Sequence, residues 1–330
     1  MTVGVVGGGS WGTALAIHLA RAGTTVRLWA REPEVVEGIR MARRNPIYLS
    51  DVECPPSIRP TTDPAEALRD VAIVVIVVPS EFFGATLKSL GRLPAGAPIV
   101  SATKGLDPER HLRMTELVAE HFPQAAVAAL SGPTFAREVA LGRPTACVVA
   151  ARDDALARQL QAGLGTREFR LYTNRDVVGV EVGGALKNVI AIATGLADGL
   201  GLGENARAAL VTRGLAEITR LGVAMGGQAR TLAGLAGLGD LVLTCTGSLS
   251  RNRALGVALA RGQTQAAVEG ESRMIAEGAR TVASAVALAE RHGVALPICG
   301  EVAAVLFAGK PPREALASLL SRAARPEEEA

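Results

Sequence analysis

The sequence predicts an α/β protein: a Rossmann-type, doubly wound parallel sheet followed by an all-α C-terminal domain. Two observations support this fold class. Short apolar strands alternate with helical patterns in the first half of the chain. After about residue 176, long Ala/Leu/Gly segments with helical spacing replace them. We therefore expect one domain over residues 1–176 and a second over residues 177–330, with the last few residues disordered.

The predicted strands come first in the chain and are joined by helical segments. We expect helices near residues 12–22 and 33–43, and right-handed βαβ connections throughout. The run VAIVVIVV is typical of a strand buried on both faces of a parallel sheet. The predicted strands cover residues 3–6, 24–30, 71–78, 97–103, 125–132 and 145–151.

Composition excludes several classes of protein. The chain has 330 residues, of which 48% are hydrophobic and 3% aromatic, so Ala, Val, Leu and Ile must build the cores. A net charge of +3 without a basic block gives no reason to expect a nucleic-acid partner. The most apolar run is too short to span a bilayer, and no signal peptide is evident, so we expect a cytoplasmic protein that is not embedded in a membrane.

The cysteines and histidines do not form metal-ligand patterns. The cysteines have no CxxC spacing, which argues against a zinc site or a disulfide framework and favours reduced, buried thiols. The histidines are isolated from one another. We therefore expect no metal site, and catalysis must depend on lysine and carboxylate side chains. The cysteines are Cys54, Cys147, Cys245 and Cys299, and the histidines are His18, His111, His121 and His292.

A glycine-rich turn, GGGSWG, joins the first strand to the first helix. Gly7, Gly9 and Gly12 fit G-x-G-x-x-G, in which the glycines allow a tight turn, backbone approach to a pyrophosphate and close packing of helix on sheet. The helix N-terminus then offers N–H groups to the phosphates. A tight turn in any α/β protein is the alternative, but the surrounding βαβ units favour a dinucleotide site.

The end of the second strand bears on the choice of cofactor. Arg31 can bind a 2′-phosphate, which favours NADP(H). Glu32 follows it and leaves NAD(H) open, because acids at this position bind ribose hydroxyls. The alternative for Arg31 is a solvated surface residue.

Three further loops, VVPSEFF, SATKG and SGPTFARE, follow predicted strands. Ligands of open parallel sheets bind outside the carboxyl ends of the strands. Lys104 can reach a phosphate or a carbonyl there, and Gly132 begins a turn that exposes backbone near Thr134 and Ala136. Each loop alone is as compatible with a plain connection, but three loops on one face favour a binding site.

The helical segment EVGGALKNVIAIA contains the sharpest signal of the second half. Lys187 interrupts an apolar helix, where burial lowers a lysine pKa toward the range useful for acid/base catalysis. The alternative is a lysine whose ammonium extends to the surface. Downstream, Asp240 follows a glycine-rich turn. Ser250, Arg251 and Asn252 begin another apolar helix, which fits either an anion site or simple N-capping.

Together the motifs GGGSWGTALA, VPS, SATKG, SGPTFARE, EVGGALKNVIAIATG, GLGDLVLTCTG, SRNRALG and AEG resemble the bacterial NAD(P)-dependent glycerol-3-phosphate dehydrogenases. The resemblance covers about the whole chain, in order. It implies oxidoreductase activity that interconverts dihydroxyacetone phosphate and sn-glycerol 3-phosphate for phospholipid biosynthesis. It also implies NADP(H) or NAD(H) as cofactor, a Rossmann domain with a helical domain, and a homodimer.

The resemblance also implies roles for individual residues. Lys187 matches the proton acceptor, and we expect Lys104 to polarise the carbonyl or fix the substrate while Asp240 orients Lys187 or a substrate hydroxyl. Substrate-contacting positions are matched by Lys104, Gly132, Thr134, Lys187, Asp240, Ser250, Arg251 and Asn252. Cofactor contacts are matched by Gly7, Gly9, Ser10, Trp11, Gly12, Arg31, Tyr48, Lys104, Ala136, Arg251, Ile275 and Glu277.

Two other functions remain open from the sequence. A related two-domain NADP-dependent dehydrogenase would act on another hydroxy acid or sugar phosphate, and the SRNR segment favours a phosphorylated substrate. The second alternative is a protein that senses nicotinamide cofactors without turnover. Lys187 in an apolar helix argues against it.

Overall fold

The computed structural model describes residues 1–270, 276–323 and 326–327. Some of the C-terminal residues that were expected to be disordered lie outside the described residues. The chain forms two compact units. The α/β unit comprises Met1–Thr103 and Leu112–Val177, and the helical unit comprises Lys104–His111 and Val178–Ala330. The predicted single boundary at 176/177 does not account for the segment Lys104–His111, which precedes that boundary but belongs to the helical unit. We call this segment the excursion.

The α/β unit is built on an eight-stranded sheet with the order β3-β2-β1-β4-β5-β6-β7-β8. The strands are β1 (Thr2–Val6), β2 (Thr25–Trp29), β3 (Ile58–Thr61), β4 (Ile73–Ile76), β5 (Ile99–Ser101), β6 (Val127–Ser131), β7 (Thr145–Ala150) and β8 (Phe169–Asn174). The helices between them are α1 (Ser10–Arg21), α2 (Pro33–Ala42), α3 (Pro64–Leu68), α4 (Ser80–Ser89), α5 (Met114–His121), α6 (Ala136–Ala140) and α7 (Asp154–Leu164).

The centre of the sheet confirms the Rossmann-type prediction. Strands β1 and β4 pair in parallel, with Val5 opposite Val75, and β4 is buried along its whole length. The chain runs outward to β2 and β3 on one side of β1 and returns to β4 on the other. Such a switch in strand order opens a crevice at the carboxyl ends, where ligands of this fold class bind.

The sheet differs from the sequence prediction in three ways. The prediction missed β3, an edge strand that carries Pro60, and β8, in which buried and exposed residues alternate. An edge position tolerates proline, since no central ladder needs its N–H group. Strand β7 is antiparallel to β6, not parallel. The connection between them holds only the five-residue helix α6, whereas a parallel return needs a longer crossover.

The helical unit contains the other helices around its own apolar core. They are α8 (Val177–Gly199), α9 (Gly203–Ala224), α10 (Ala229–Leu232), α11 (Asp240–Thr246), α12 (Arg251–Ala260), α13 (Gln265–Gly270), α14 (Glu277–His292), α15 (Pro297–Phe307) and α16 (Pro312–Leu320), with a π-helical turn at Leu235–Gly239. Helix α8 is long and apolar enough to cross a bilayer, but 94% of its most apolar window is buried inside the protein. It is the central helix of this core.

Glycines bring other backbones close to α8. A Cβ atom on Gly183 would lie 2.7 Å from the carbonyl oxygen of Ala236. Farther along, a Cβ atom on Gly195 would collide with the carbonyl oxygen of Arg253, and one on Gly256 with that of Ile192. These contacts set the π-helical turn and α12 directly against α8. They hold the polar side chains described below at short range.

Candidate functional site

Two lysines share one buried carboxylate in the helical unit. The Lys187 Nζ donates to Asp240 Oδ1 at 2.6 Å, and the Lys104 Nζ donates to Asp240 Oδ2 at 2.8 Å. The side chain of Asp240 is 1% exposed, and those of Lys187 and Lys104 are 7% and 12% exposed. The structure therefore brings together the three residues predicted to be catalytic. It excludes the alternative of a Lys187 ammonium that reaches the surface.

Helix geometry places a fourth polar residue, Thr244, in this cluster. Asp240 begins α11 directly after the π-helical turn, a distortion that is frequent at functional sites. Thr244 lies one turn later on the same face. Its hydroxyl accepts a hydrogen bond from Lys187 Nζ at 2.7 Å and donates to the Asp240 carbonyl oxygen at 2.6 Å. Thr244 was not predicted from the sequence, although its spacing of four residues from Asp240 was a usable signal.

The electrostatics of Lys187 suit proton exchange near neutral pH. The pKa of Lys187 is lowered to about 8: burial is the main cause and the positive charge of Lys104 adds to it, while the negative charge of Asp240 opposes both effects. Two of the three ammonium protons bond to Asp240 and Thr244. The third can face a reacting oxygen. A buried amine with such a pKa can both donate and accept a proton under physiological conditions.

The three residues at the start of α12, namely Ser250, Arg251 and Asn252, differ in burial and in hydrogen bonding. The Ser250 hydroxyl caps the helix by accepting from the Arg253 N–H at 3.2 Å, which is the N-capping alternative. Arg251 is exposed. The negative charge of Glu277 lies close enough to act on its guanidinium. Asn252 is buried, and its amide bonds to Asn188 and to the backbone of Gly278. Ile275 lies outside the described residues.

In the α/β unit, the glycine-rich turn has the shape of a phosphate cradle. Gly7 has φ +127°, and a Cβ atom on Gly12 would collide with the Gly7 carbonyl oxygen. A Cβ atom on Gly9, in contrast, would meet nothing within 4 Å. Helix α1 begins at the next residue, and no acidic side chain lies in its first turn. These features fit a pyrophosphate, which needs close backbone approach and uncapped N–H groups.

Two neighbours of this turn strengthen the fit. Among the described residues, the buried Nε1 of Trp11 has no hydrogen-bond partner. Asn45, which the sequence analysis missed, donates to the Gly8 carbonyl oxygen at 2.8 Å and accepts from the Tyr48 N–H at 3.0 Å. The Ser10 hydroxyl donates to the Tyr48 carbonyl oxygen at 3.0 Å. Tyr48 is therefore held beside the turn, where local sequence chemistry alone did not place it.

Arg31 and Glu32 form a small charged cluster after β2. The Arg31 guanidinium lies 5.3 Å from the Phe82 ring centroid and donates to Glu32 Oε1 at 2.9 Å. The Tyr48 hydroxyl donates to the same oxygen at 3.3 Å. The arginine side chain is 66% exposed. A ligand phosphate that approaches Arg31 therefore meets a guanidinium that is already paired with a carboxylate.

The loop after β6 contains the other predicted positions of the α/β unit. Gly132 has φ +142°, and a Cβ atom there would lie 2.7 Å from the Cβ of Cys147. The buried Thr134 hydroxyl donates to the Gly132 carbonyl oxygen at 3.0 Å, and Ala136 begins α6. Because β1, β4, β5 and β6 are mutually parallel, this loop lies at the same sheet edge as the glycine-rich turn.

Comparison with known proteins identifies the family. Residues 2–157 match the N-terminal model of NAD-dependent glycerol-3-phosphate dehydrogenase, and residues 176–317 match the C-terminal model. The chain is 51% identical to a glycerol-3-phosphate dehydrogenase [NAD(P)+] of Rhodospirillum rubrum over 98% of this chain and 93% of the relative. A relative of the same name from Geobacter sp. strain M21 is also 51% identical, over 97% of each chain.

The fold agrees with that of a solved structure. The crystal structure of glycerol-3-phosphate dehydrogenase from Coxiella burnetii superposes with a TM-score of 0.94 and 40% identity, covering 97% of this chain and 99% of that one. Both halves of the chain thus match, in sequence and in fold. The chain belongs to the NAD-dependent glycerol-3-phosphate dehydrogenase family.

Proposed function

We propose that this protein reduces dihydroxyacetone phosphate to sn-glycerol 3-phosphate, reversibly, with NADPH or NADH. The product would supply glycerophospholipid synthesis. The observation that carries the proposal is the buried Lys187–Asp240 pair, 2.6 Å apart, in a member of this family. It offers a proton donor of suitable pKa where the sequence predicts the catalytic group.

Lys187 acts as the general acid of the reduction. When bound, the reduced nicotinamide supplies the hydride to the ketone carbon. The third Lys187 N–H group donates its proton to the oxygen of the former carbonyl, while Asp240 and Thr244 hold the nitrogen in place. In the oxidation, neutral Lys187 accepts the hydroxyl proton. A positioned acid or base of this kind contributes about 10²–10⁴-fold to a rate.

Lys104 and the start of α12 bind the substrate. Lys104 orients the carbonyl or a neighbouring hydroxyl, because Asp240 fixes its ammonium close to that of Lys187. The exposed Arg251 guanidinium and the Asn252 amide bind the phosphate. Binding energy at this non-reacting group positions the carbonyl for reaction. Gly132, Thr134 and Ser250 complete the set of proposed substrate contacts.

The glycine-rich turn, with Gly7, Gly9 and Gly12, binds the pyrophosphate of the cofactor. Further proposed cofactor contacts are Ser10, Trp11, Arg31, Tyr48, Lys104, Ala136, Arg251, Ile275 and Glu277. The pairing of Arg31 with Glu32 supports the use of both cofactors, because the carboxylate reduces the attraction of Arg31 for a 2′-phosphate.

The Arg31→Ala variant tests this account of cofactor choice. We expect it to weaken NADPH binding more than NADH binding, since only NADPH carries the 2′-phosphate. Dissociation constants from cofactor fluorescence measure both. The Glu32→Gln variant is the matched control and should strengthen NADPH binding selectively. Equal losses of both cofactors in Arg31→Ala would contradict recognition of the 2′-phosphate.

The direct test of function is the loss of NADPH absorbance with dihydroxyacetone phosphate, compared with NADH and with a panel of other ketones. We expect turnover with dihydroxyacetone phosphate above all others. Faster turnover of another phosphorylated ketone or 2-keto acid would reassign the substrate. Cofactor binding without turnover of any ketone would favour the sensing function.

We also propose a cytoplasmic homodimer. Two apolar side chains of the helical unit support an association surface there: Phe307 is 57% exposed and Leu320 is 75% exposed. Light scattering after size-exclusion chromatography tests it, and a monomer mass at micromolar concentration would contradict it.

A further inference from the structure

A chain of side-chain amides connects four segments of the helical unit. The Asn188 Nδ2 donates to the Lys104 carbonyl oxygen at 3.2 Å, and the Asn252 Nδ2 donates to Asn188 Oδ1 at 2.9 Å. The Gly278 N–H donates to Asn252 Oδ1 at 2.9 Å. Asn188 and Asn252 are 4% and 7% exposed. The segments joined are the Lys104–His111 excursion, α8, α12 and α14.

The two ends of this chain determine the direction of every hydrogen bond in it. A backbone N–H group can only donate, so the oxygen of Asn252 must face Gly278. Its nitrogen then faces Asn188, whose oxygen must accept. The nitrogen of Asn188 is thereby directed to the Lys104 carbonyl oxygen, which can only accept. Flipping either amide would place like groups opposite each other in a buried region.

Tight packing fixes the positions of the same groups. A Cβ atom on Gly278 would lie 2.5 Å from the Asn188 carbonyl oxygen and 2.9 Å from Asn252 Oδ1. The excursion is anchored twice more. Leu106 is fully buried in the helical core, and the Ser284 hydroxyl donates to the Asp107 carbonyl oxygen at 3.1 Å. The backbone that carries Lys104 is thus attached to the helical unit at three successive points.

We infer that Asn188 is a positioning residue. Its side-chain amide holds the backbone of Lys104 at the carbonyl oxygen and the side chain of Asn252 at the amide nitrogen. The inference rests on the proposed function, in which both residues bind the substrate. An amide nitrogen has two protons. Because one N–H group of the Asn252 amide donates to Asn188 Oδ1, the direction of its other N–H group is fixed, and in the proposed function that group donates to the substrate phosphate. Asn188 does not itself touch the substrate in this account.

The Asn188→Asp variant separates the two ends of the amide chain. A carboxylate can still accept from Asn252, but it cannot donate to the Lys104 carbonyl oxygen. We expect the KM for dihydroxyacetone phosphate to rise about tenfold or more, the effect of losing one buried partner. The change in kcat should be smaller than the change in KM. The dissociation constant of NADPH and hydrogen exchange at the start of α14 should stay near wild type.

The Asn252→Ala variant removes the partner of Gly278, so exchange of that backbone amide should accelerate while the KM also rises. Thr194→Val is the matched control. Thr194 is a fully buried residue of α8, the helix that also contains Asn188, and its hydroxyl donates to the Ala191 carbonyl oxygen. This control should lower thermal stability without changing either KM or exchange at α14.

Two results would overturn the inference. One is an Asn188→Asp enzyme whose KM stays within twofold of wild type or rises no more than in Thr194→Val. The other is unchanged exchange at Gly278 in Asn252→Ala. Failure of the proposed function looks different: wild-type protein would not oxidise NADPH with dihydroxyacetone phosphate, whatever the exchange data show about the amides.

Discussion

Two carboxylates of the helical unit, Asp240 and Glu217, are buried to almost the same extent but have different surroundings. Asp240 is 1% exposed and Glu217 is 2% exposed. Asp240 accepts hydrogen bonds from the ammonium groups of Lys187 and Lys104. Glu217, in α9, accepts from the backbone N–H groups of Ile298 at 2.6 Å and Cys299 at 3.2 Å, in the first turn of α15.

The difference shows that the partners of a buried charge, and not its burial, indicate its use. Glu217 accepts hydrogen bonds from two backbone N–H groups and from the Cys299 thiol, which burial keeps protonated by raising its pKa, so this carboxylate satisfies the open N-terminus of a helix. Burial raises the pKa of Glu217, and the two N–H groups oppose the increase. The partners of Asp240 carry protons that can be exchanged. Changes near Asp240 should therefore affect catalysis, and changes at Glu217 should affect stability.

The largest expected effect is that of Lys187→Met. Loss of the proton donor should lower kcat by about 10²–10⁴-fold, the usual range for a general acid. Steady-state kinetics measure the rate, and cofactor fluorescence should show unchanged NADPH binding. Turnover within a few-fold of wild type would remove Lys187 from the mechanism.

Asp240→Asn should have the next largest effect. Removal of the carboxylate leaves two ammonium groups together, so we expect kcat near neutrality to fall about 10–10²-fold. Because Asp240 raises the pKa of Lys187, its loss should move the decline of the reduction rate to lower pH. A pH–rate profile shifted to higher pH would contradict this arrangement of charges.

Glu217→Ala should separate stability from catalysis. Two buried N–H groups lose their acceptor, so the free energy of unfolding should fall by about 1–3 kcal/mol. Urea denaturation measures the loss, and kcat/KM below the unfolding transition should stay within twofold of wild type. A larger effect on kcat/KM than on stability would show that the two carboxylates do not differ as we describe.

Sequence patterns predicted the central strands and the glycine-rich turn because these features have local causes. Continuous apolar runs and glycine spacing depend on neighbours in the chain. The edge strand β3 and the antiparallel β7 depend on tertiary pairing, which local patterns do not encode. Strand β8 did carry an alternating pattern that the sequence analysis overlooked.

The site shows the same division. Lys187 was predicted because a lysine in an apolar helix is locally unusual, Lys104 because it follows a predicted strand, and Asp240 because it follows a glycine-rich turn. Contact of Asp240 with Lys187, 53 residues away in sequence, was one of two roles expected for Asp240, and its hydrogen bond with Lys104, 136 residues away, was not predicted. No role for Asn188 was predicted, since its hydrogen-bond partners lie in two other segments. Its role becomes visible only when those segments are seen together.

The pH dependence of turnover in both directions tests the central claim most directly, namely that buried Lys187 exchanges the proton. Its pKa lies at about 8. The reduction requires the ammonium form, so its kcat should fall as the pH rises through about 8. The oxidation requires the neutral amine, so its kcat should rise over the same interval. Rates that change in the same sense in both directions, or that stay constant across this interval, would contradict the account.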